Sequence, residues 1–129
     1  MRRVYVYKNN AGEIPVMQFI NSSHHKIRHK YEFMMRFIAN ESNPLCEPYV
    51  KHFTVARYKR LYELRIRAAG TMVRIIYYKA DDNIVLLHAF FKRSRRDTEN
   101  ALEYSLKLLN SFENNALYPM ENLAEVEIN

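Results

Sequence analysis

The chain of 129 residues contains little glycine and almost no cysteine. Its two glycines, Gly12 and Gly70, stand far apart, which excludes a glycine-rich loop of the kind that cradles nucleotide phosphates. The single cysteine, Cys46, cannot form an internal disulfide and therefore favours a reducing compartment. We interpret Cys46 as an ordinary loop thiol rather than a nucleophile.

Long hydrophobic runs are missing as well. The longest apolar stretch, Ile84–Phe91, is interrupted by His88 and is far shorter than the roughly 20 residues that cross a bilayer. The N-terminal MRRVYVYKNN has neither the apolar segment nor the small-residue cleavage site of a secretory signal. Together with the single cysteine, these absences predict a cytoplasmic protein with no membrane partner.

Acidic residues are scarce in the middle of the chain. The formal net charge is +6, and residues 51–96 hold twelve Lys or Arg against three acidic residues. Residues 114–129 hold three glutamates and no cation. A basic body of this kind indicates either a polyanionic partner or a solubilising surface, and charge alone does not separate the two.

Alternation and helical spacing of apolar residues predict seven elements in one domain. The predicted strands are Val4–Lys8, Leu61–Ala68, Met72–Lys79 and Ile84–Lys92. The predicted helices are a short one starting at Pro15, one from about His24 to Ala39, and a last one capped by Asp97. The order β-α-α-β-β-β-α is typical of an α+β fold, with helices packed on one face of an antiparallel sheet of about four strands. We expect this domain to span residues 1–113, followed by an acidic C-terminal extension, residues 114–129, that either frays or docks with its glutamates near the basic face.

The turn between the second and third strands determines which arginines meet. If Ala69-Gly70 is a two-residue turn, Arg65 lies directly opposite Arg74. Like charges paired across two strands destabilise a sheet. We therefore expect an anion to bridge the two guanidinium groups in use, because such groups bind phosphate bidentately.

The next loop decides the position of His88. A two-residue loop would put His88 and Lys92 on the face opposite Arg74, whereas a three-residue loop with Asn83 in the left-handed conformation would put them beside it. We favour the three-residue loop, because the shorter one would bury a lysine in the core. One face then carries only uncharged side chains: Leu64, Ile66, Ala68, Val73, Ile75, Tyr77, Val85, Leu87, Ala89 and Phe91. The other face carries Glu63, Arg65, Arg67, Arg74, His88 and Lys92.

The histidines have alternative interpretations. His25 and His29 have the i, i+4 spacing of two zinc ligands, but the sequence offers no third ligand at a sensible distance. We interpret them, with His24, as part of a solvated basic helix face. His88 is either a packed strand residue or a functional one: histidines within strands are more often packed, but three nearby arginines give the functional interpretation equal weight.

Residues 61–96, LYELRIRAAGTMVRIIYYKADDNIVLLHAFFKRSRR, resemble the RelE/HigB superfamily of type II toxins, in particular its phage-derived toxin-like branch. The elements that carry the resemblance are Leu61–Arg65, Gly70, Arg74 with Tyr77, Ile84–His88, and Lys92-Arg93. The resemblance implies a ribosome-dependent mRNA endonuclease that uses no cofactor and is neutralised by a cognate antitoxin. The implied partners are the ribosome, mRNA and a helix-turn-helix antitoxin, through which operator DNA is contacted.

The resemblance also implies roles for single residues. In RelE-type members, basic residues of the sheet bind the scissile phosphate, and Arg65, Arg67 and Arg74 fall at matching positions. We expect metal-independent cleavage by the substrate's own 2′-OH, with Arg65 and Arg74 stabilising the transition state and Arg67 and Lys92 orienting the strand. Proton transfer would fall to His88 or Glu63. Further RNA-binding residues are expected at Lys59, Arg60, Arg93, Arg95 and Arg96.

The sequence departs from the RelE-type pattern at two positions. The tyrosine near the start of the last helix has no obvious counterpart, since Asn100 stands near that place, and Glu63 stands where those members carry lysine. ParE-like members of the superfamily poison DNA gyrase and cleave nothing. A non-enzymatic toxin or a basic nucleic-acid-binding module is therefore the alternative prediction.

Overall fold

The computed structural model describes residues 1–112 and 117–128, which form a six-stranded sheet and three α-helices. The strands are β1 (Val4–Tyr7), β2 (Val50–His52), β3 (Leu61–Ala68), β4 (Thr71–Ala80), β5 (Asn83–Phe91) and β6 (Leu123–Glu125). The helices are α1 (Pro15–Asn21), α2 (His25–Ala39) and α3 (Arg95–Asn110). The seven predicted elements are confirmed in type and order.

The sheet is mixed rather than purely antiparallel. Its strand order is β2-β3-β4-β5-β1-β6, with β1 parallel to β5 and the other neighbours antiparallel. The predicted α+β class is confirmed, whereas the expected number of about four strands is wrong. The two additional strands, β2 and β6, have three residues each and are too short for alternation to reveal them.

Helices cover both faces of the sheet, so the prediction of helices on one face is wrong. On one face, α1 and α2 pack over buried residues that include Ile66 and Ile75. On the other face, α3 packs through Leu102 against Tyr78 and Leu87. Because α3 lies over β4 and β5, Arg65 and Arg67 of β3 on that face keep access to solvent. None of the helices in the described ranges has the length and apolar character needed to traverse a membrane.

The β3–β4 turn has the predicted length. Ala69 and Gly70 form a two-residue turn, and both have positive φ, 53° and 70°. Turns of this kind match the right-handed twist of paired strands. Arg65 lies opposite Arg74, which confirms the predicted register.

The β4–β5 loop differs from the prediction. Ala80 pairs with Asn83, so the loop has two residues and the predicted three-residue loop is wrong. The left-handed conformation falls on Asp81, with φ of 56°, and not on Asn83. Short polar side chains tolerate this conformation, so the sequence allowed either position.

A bulge in β5 nevertheless brings His88 to the predicted face. Tyr77 pairs with Leu86 and Ile76 pairs with His88, which leaves Leu87 as an extra residue. One extra residue inverts the side chains that follow it, so His88 lies on the face of Arg74. Before the bulge, the side chains of β5 lie on the faces opposite to those predicted: Val85 and Leu87 lie under α3, and Leu86 lies under α1 and α2.

Helix α3 begins before the predicted cap. Ser94 is the N-cap, and its side chain forms a capping box with Asp97, so the assignment of Asp97 as N-cap is wrong. The Asp97 carboxylate accepts hydrogen bonds from the backbone N–H groups of Arg93 and Ser94 at 2.8 and 3.0 Å. These bonds, the one from Arg93 above all, lower the pKa of Asp97.

The C-terminal segment returns to the sheet as an edge strand. β6 pairs with β1, so three strands separate it from β3 and its arginines. The expectation that the tail glutamates lie near the basic face is therefore wrong. Glu125 instead lies 3.9 Å from Arg3, between Glu125 Oε1 and Arg3 Nε. The expected domain boundary at residue 113 lies outside the described residues.

Candidate functional site

Three rows of side chains cross β3, β4 and β5 on the face that carries α3. The rows are Glu63, Ile76 and His88, then Arg65, Arg74 and Phe90, then Arg67 and Met72. Lys92 extends the third row, because its backbone N–H donates to the carbonyl of Met72 at 2.9 Å. Neighbouring strands lie about 4.8 Å apart, so the six residues predicted as catalytic fall within a patch roughly 10 Å wide.

Glu63 is the counterion of two arginines. Its side chain is 1% exposed, and its Oε1 lies 3.3 Å from Arg65 Nε and 3.4 Å from Arg74 Nε. A carboxylate in this position offsets the repulsion between two guanidinium groups that face each other across β3 and β4. Glu63 thus supplies one negative charge between the arginines, and the expected binding of a substrate anion stays a prediction. Glu63 lies beneath the guanidinium groups and does not line the cleft above them.

Arg74 is a buried cation with poor hydrogen bonds. It is 8% exposed, and its Nη atoms donate only at long range, to the Val73 carbonyl at 3.4 Å and to Met72 Sδ at 3.6 Å. Its Nε has no hydrogen-bond partner among the described residues. Burial is the largest influence and lowers the pKa of Arg74, the Glu63 carboxylate opposes it, and the two neighbouring arginines add to it. Since a guanidinium stays charged in proteins, an anionic ligand would stabilise this one.

The arginines open into a cleft beside β3. The cleft has a volume of about 320 Å³ and is lined by Lys30, Pro48, Tyr49, Arg65, Arg67 and Arg74. We call these residues the arginine cleft. Four of the six are cationic, and the exposed Glu47 reaches the cleft only through an ion pair of 3.4 Å with Arg65. The size and charge suit a phosphodiester group.

His88 lies where α3 meets the open part of the sheet. Its half-buried ring stacks on Phe90 with centroids 5.8 Å apart and contacts Tyr104 of α3 at 4.7 Å. Burial lowers the pKa of the imidazole below its ordinary 6.5, so His88 is neutral at pH 7 and can accept a proton. The sequence reasoning missed Tyr104, whose signal was an exposed aromatic residue beside the apolar stripe of α3.

A comparison with protein families connects this arrangement to known sequences. Residues 18–109, more than half of the chain, match the family described as Phage derived protein Gp49-like (DUF891). The chain belongs to the Gp49-like family. The matched residues run from α1 through α3 and include the whole arginine cleft. No curated protein and no solved structure matches the chain.

Lowering the pH should destabilise this Gp49-like protein more than its His88→Gln variant. The folded-state pKa of His88 lies below its unfolded value, so the unfolded chain takes up the proton first. The difference in unfolding free energy between wild type and variant should therefore be largest above pH 6.5, the ordinary pKa of histidine. It should decrease as the pH falls below that value. Urea unfolding of both proteins between about pH 7.5 and 5 measures the effect, since all other titrating groups are shared. A stability difference that does not change with pH would contradict a buried neutral imidazole.

Three more cations, Arg93, Arg95 and Arg96, lie near the N-terminus of α3 in different surroundings. Arg95 and Arg96 are exposed in the first turn of α3, close to the end of β5 at which Lys92 lies. The guanidinium of Arg93 lies 5.7 Å over the ring of Phe91, which belongs to the face that α1 and α2 cover. Arg93 is not among the residues that line the arginine cleft.

Two predicted RNA-binding residues of the Gp49-like chain lie apart from the site. Lys59 and Arg60 precede β3, and seven residues of extended chain, about 23 Å, separate Arg60 from Arg67. Arg60 Nη2 donates to Asn110 at the far end of α3 at 2.8 Å. The fold does not bring these two cations together with the arginine cleft.

The three histidines at the start of α2 form a separate exposed cluster. The rings of His24 and His25 stack at 4.3 Å, and those of His25 and His29 meet edge-on at 6.0 Å. Repulsion between neighbouring charges, from His24 first, lowers the pKa of His25. Within residues 1–112 and 117–128, no group of three or more His, Cys, Asp or Glu is arranged to hold a metal ion.

Proposed function

We propose that this Gp49-like protein is the toxin of a type II toxin–antitoxin system and cleaves ribosome-bound mRNA. Its family is toxin-like and related to the RelE/HigB type. The observation that carries the proposal is Arg74, a buried guanidinium with long hydrogen bonds that opens with Arg65 and Arg67 into one cleft. A buried charge needs compensation, and a phosphate oxyanion offers the geometry that matches a guanidinium fork.

The proposed reaction uses the RNA as its own nucleophile. The ribose 2′-OH attacks the adjacent phosphorus, the bond to the 5′-oxygen breaks, and the products are a 2′,3′-cyclic phosphate and a 5′-hydroxyl end. Arg65 and Arg74 bind the non-bridging oxygens and stabilise the charge that develops on them, and one preorganised donor of this kind contributes about 10²–10³ in rate. Arg67 and Lys92 hold the flanking phosphates.

Proton transfer falls to His88 in this proposal. His88 and Arg74 are diagonal neighbours across β4 and β5, which corresponds to about 7–8 Å and spans one phosphodiester. The neutral imidazole accepts the 2′-OH proton, and the leaving 5′-oxygen takes a proton from water. Glu63 acts through the arginines as a positioning residue, because its buried carboxylate is paired with both of them.

The proposed partners supply what the site lacks. The site has one evident general base, so its cleavage rate would increase if a partner held the RNA in a reactive geometry. The ribosome would do this by holding the mRNA in place. We infer that a cognate helix-turn-helix antitoxin neutralises the protein and carries it to operator DNA, as the resemblance to type II toxins implies.

Controlled expression in a bacterium tests the function. Cleavage of mRNA at ribosome-occupied codons, mapped by sequencing of RNA 5′-ends, is the expected result, and the cuts should disappear when translation initiation is blocked. DNA breaks that accumulate without mRNA cuts would contradict the proposal and favour a gyrase poison of the ParE type.

Replacing Arg95 and Arg96 with serine should weaken binding to ribosomes and RNA without slowing the chemical step. Both residues are exposed at the margin of the site, and removing one cation that pairs with a phosphate of single-stranded RNA should lower the salt-dependence slope by up to ~0.7. The matched control replaces Lys59 and Arg60, which are equally exposed but lie at the far end of β3. A single-turnover rate that collapses at saturating RNA while affinity holds would mean that Arg95 and Arg96 act in the chemistry.

A further inference from the structure

Three aromatic side chains form a strip that begins in the arginine cleft and continues along α2. Tyr49, which lines the cleft, packs on Phe37 with ring centroids 5.1 Å apart, and Phe37 stacks on Phe33 at 6.5 Å. Phe33 and Tyr49 are 46% and 39% exposed. We call these three residues the aromatic strip. A continuous aromatic surface of this kind marks a contact site more often than an isolated exposed ring does.

A backbone hydrogen bond and a lysine shared with the cleft connect the aromatic strip to the arginines. The N–H of Arg65 donates to the Tyr49 carbonyl at 2.8 Å, which holds the backbones of the two residues side by side, and both residues line the cleft. Lys30, Phe33 and Phe37 have i, i+3, i+7 spacing and share one face of α2. Lys30 Nζ lies 4.9 Å from the centroid of the Phe33 ring, and the same residue lines the cleft.

We propose that the aromatic strip stacks the unpaired bases of an RNA strand whose phosphate lies in the arginine cleft. The inference rests on the proposed function and narrows its substrate to single-stranded RNA that continues from the cleft onto α2. A cationic groove flanked by aromatic rings is the arrangement by which proteins bind single strands with little sequence preference, because every base has a π-face. A duplex hides its base faces and cannot use the strip.

The charges around the strip favour RNA over an apolar protein segment. Lys30 and the arginines of the cleft border the rings, whereas Glu32 is the single acidic residue of α2. Glu32 faces the opposite side of the helix, where it lines a groove formed with residues 124–128. The exposed Glu47 pairs with Arg65 at 3.4 Å, and with four cations in the cleft the charge beside the aromatic strip is predominantly positive, as binding of a polyanion requires.

Binding of short RNA strands to the full chain tests this inference. The probes are a fluorescently labelled single strand with a cleavage-blocking 2′-O-methyl group at every position, an abasic strand of the same length, and a duplex. By fluorescence anisotropy, the wild type should bind the single strand roughly tenfold or more tightly than the abasic strand. Phe33→Ser, which lies outside the cleft, should remove most of this preference and leave binding of the abasic strand unchanged. Tyr49→Ser should also remove most of the preference, whereas Tyr49→Phe should retain it. Val55→Ser, at an exposed apolar position away from the strip, is the control and should bind like the wild type.

Two other outcomes of the binding experiment overturn the inference. Equal affinity of the wild type for the base-containing and abasic strands, or for the duplex, would show that the rings contact no bases. Variants that keep the preference but release a cognate antitoxin would make the aromatic strip a protein-docking surface. Because the probes cannot be cleaved, these results are independent of the proposed nuclease activity. Base-dependent binding without mRNA cleavage in cells would sink only that activity.

Discussion

Replacing Arg74 with methionine should abolish growth arrest and mRNA cleavage, and it should also destabilise the fold. The substitution removes a donor that we propose binds the scissile phosphate, and the expected loss is about 10²–10³ in rate. It also leaves the Glu63 carboxylate buried with one fewer partner, and breaking a buried ion pair costs about 3–5 kcal/mol. Arg65 still contacts Glu63, so the lower end of that range is expected. Single-turnover cleavage and thermal unfolding measure the two effects separately.

A double variant, Glu63→Gln with Arg74→Met, separates loss of fold from loss of chemistry. It removes both buried charges, so much of the stability that the single variant lacks should return. Activity should not return, because the guanidinium is still missing. A well-folded double variant that arrests growth as the wild type does would rule out Arg74 as part of the site.

Glu63→Gln alone should make the stability of the protein depend on phosphate. Without the carboxylate, Arg74 loses its ion pair and faces Arg65, which keeps only its contact with the exposed Glu47, and the expected loss is on the order of 3 kcal/mol. An anion that binds only the folded state restores stability by mass action, by about 2.7 kcal/mol at a concentration one hundred times its dissociation constant. The melting temperature of the variant should therefore rise in phosphate relative to chloride at equal ionic strength, and by more than that of the wild type.

Glu47→Gln is the matched control for this experiment. Glu47 also pairs with Arg65, at 3.4 Å, but it is exposed, and exposed pairs contribute little to stability. The control should melt like the wild type in both salts. If Glu63→Gln does the same, the two arginines do not form an anion site.

The parts of the site that follow from strand alternation could be predicted from the sequence. The Ala69-Gly70 turn places Arg65 opposite Arg74, because a two-residue turn leaves one register. His88 was assigned to the correct face for the wrong reason. Keeping the core free of charge requires His88 to lie on the same face as Arg74. The chain achieves this with a bulge in β5 and not with a longer β4–β5 loop, and the pattern of side chains cannot distinguish the two.

The parts of the site that form where distant segments of the chain meet could not be predicted from the sequence. Lys30 and Tyr49 join Arg65 in one cleft from α2 and from the connection before β2, and no local pattern links them. The role of Glu63 depends on its burial beneath the arginines, whereas the sequence showed only a charged residue in an alternating strand. The sequence did not reveal that α3 packs on the second face of the sheet. This helix covers only part of that face, and the charged side chains on the uncovered part made the whole face look exposed.

The extra residue in β5 determines how this protein should be aligned with other proteins of similar fold. Counting forward from the Asp81-Asp82 turn assigns His88 to the wrong side of the sheet. Counting backward from the Ser94 cap assigns it correctly, because the strand alternates without interruption from His88 to its end. A homologue without the insertion would carry the equivalent imidazole one position nearer the turn. An ungapped alignment through β5 would then pair residues that point in opposite directions, so positional equivalence is best defined as an offset from the helix cap.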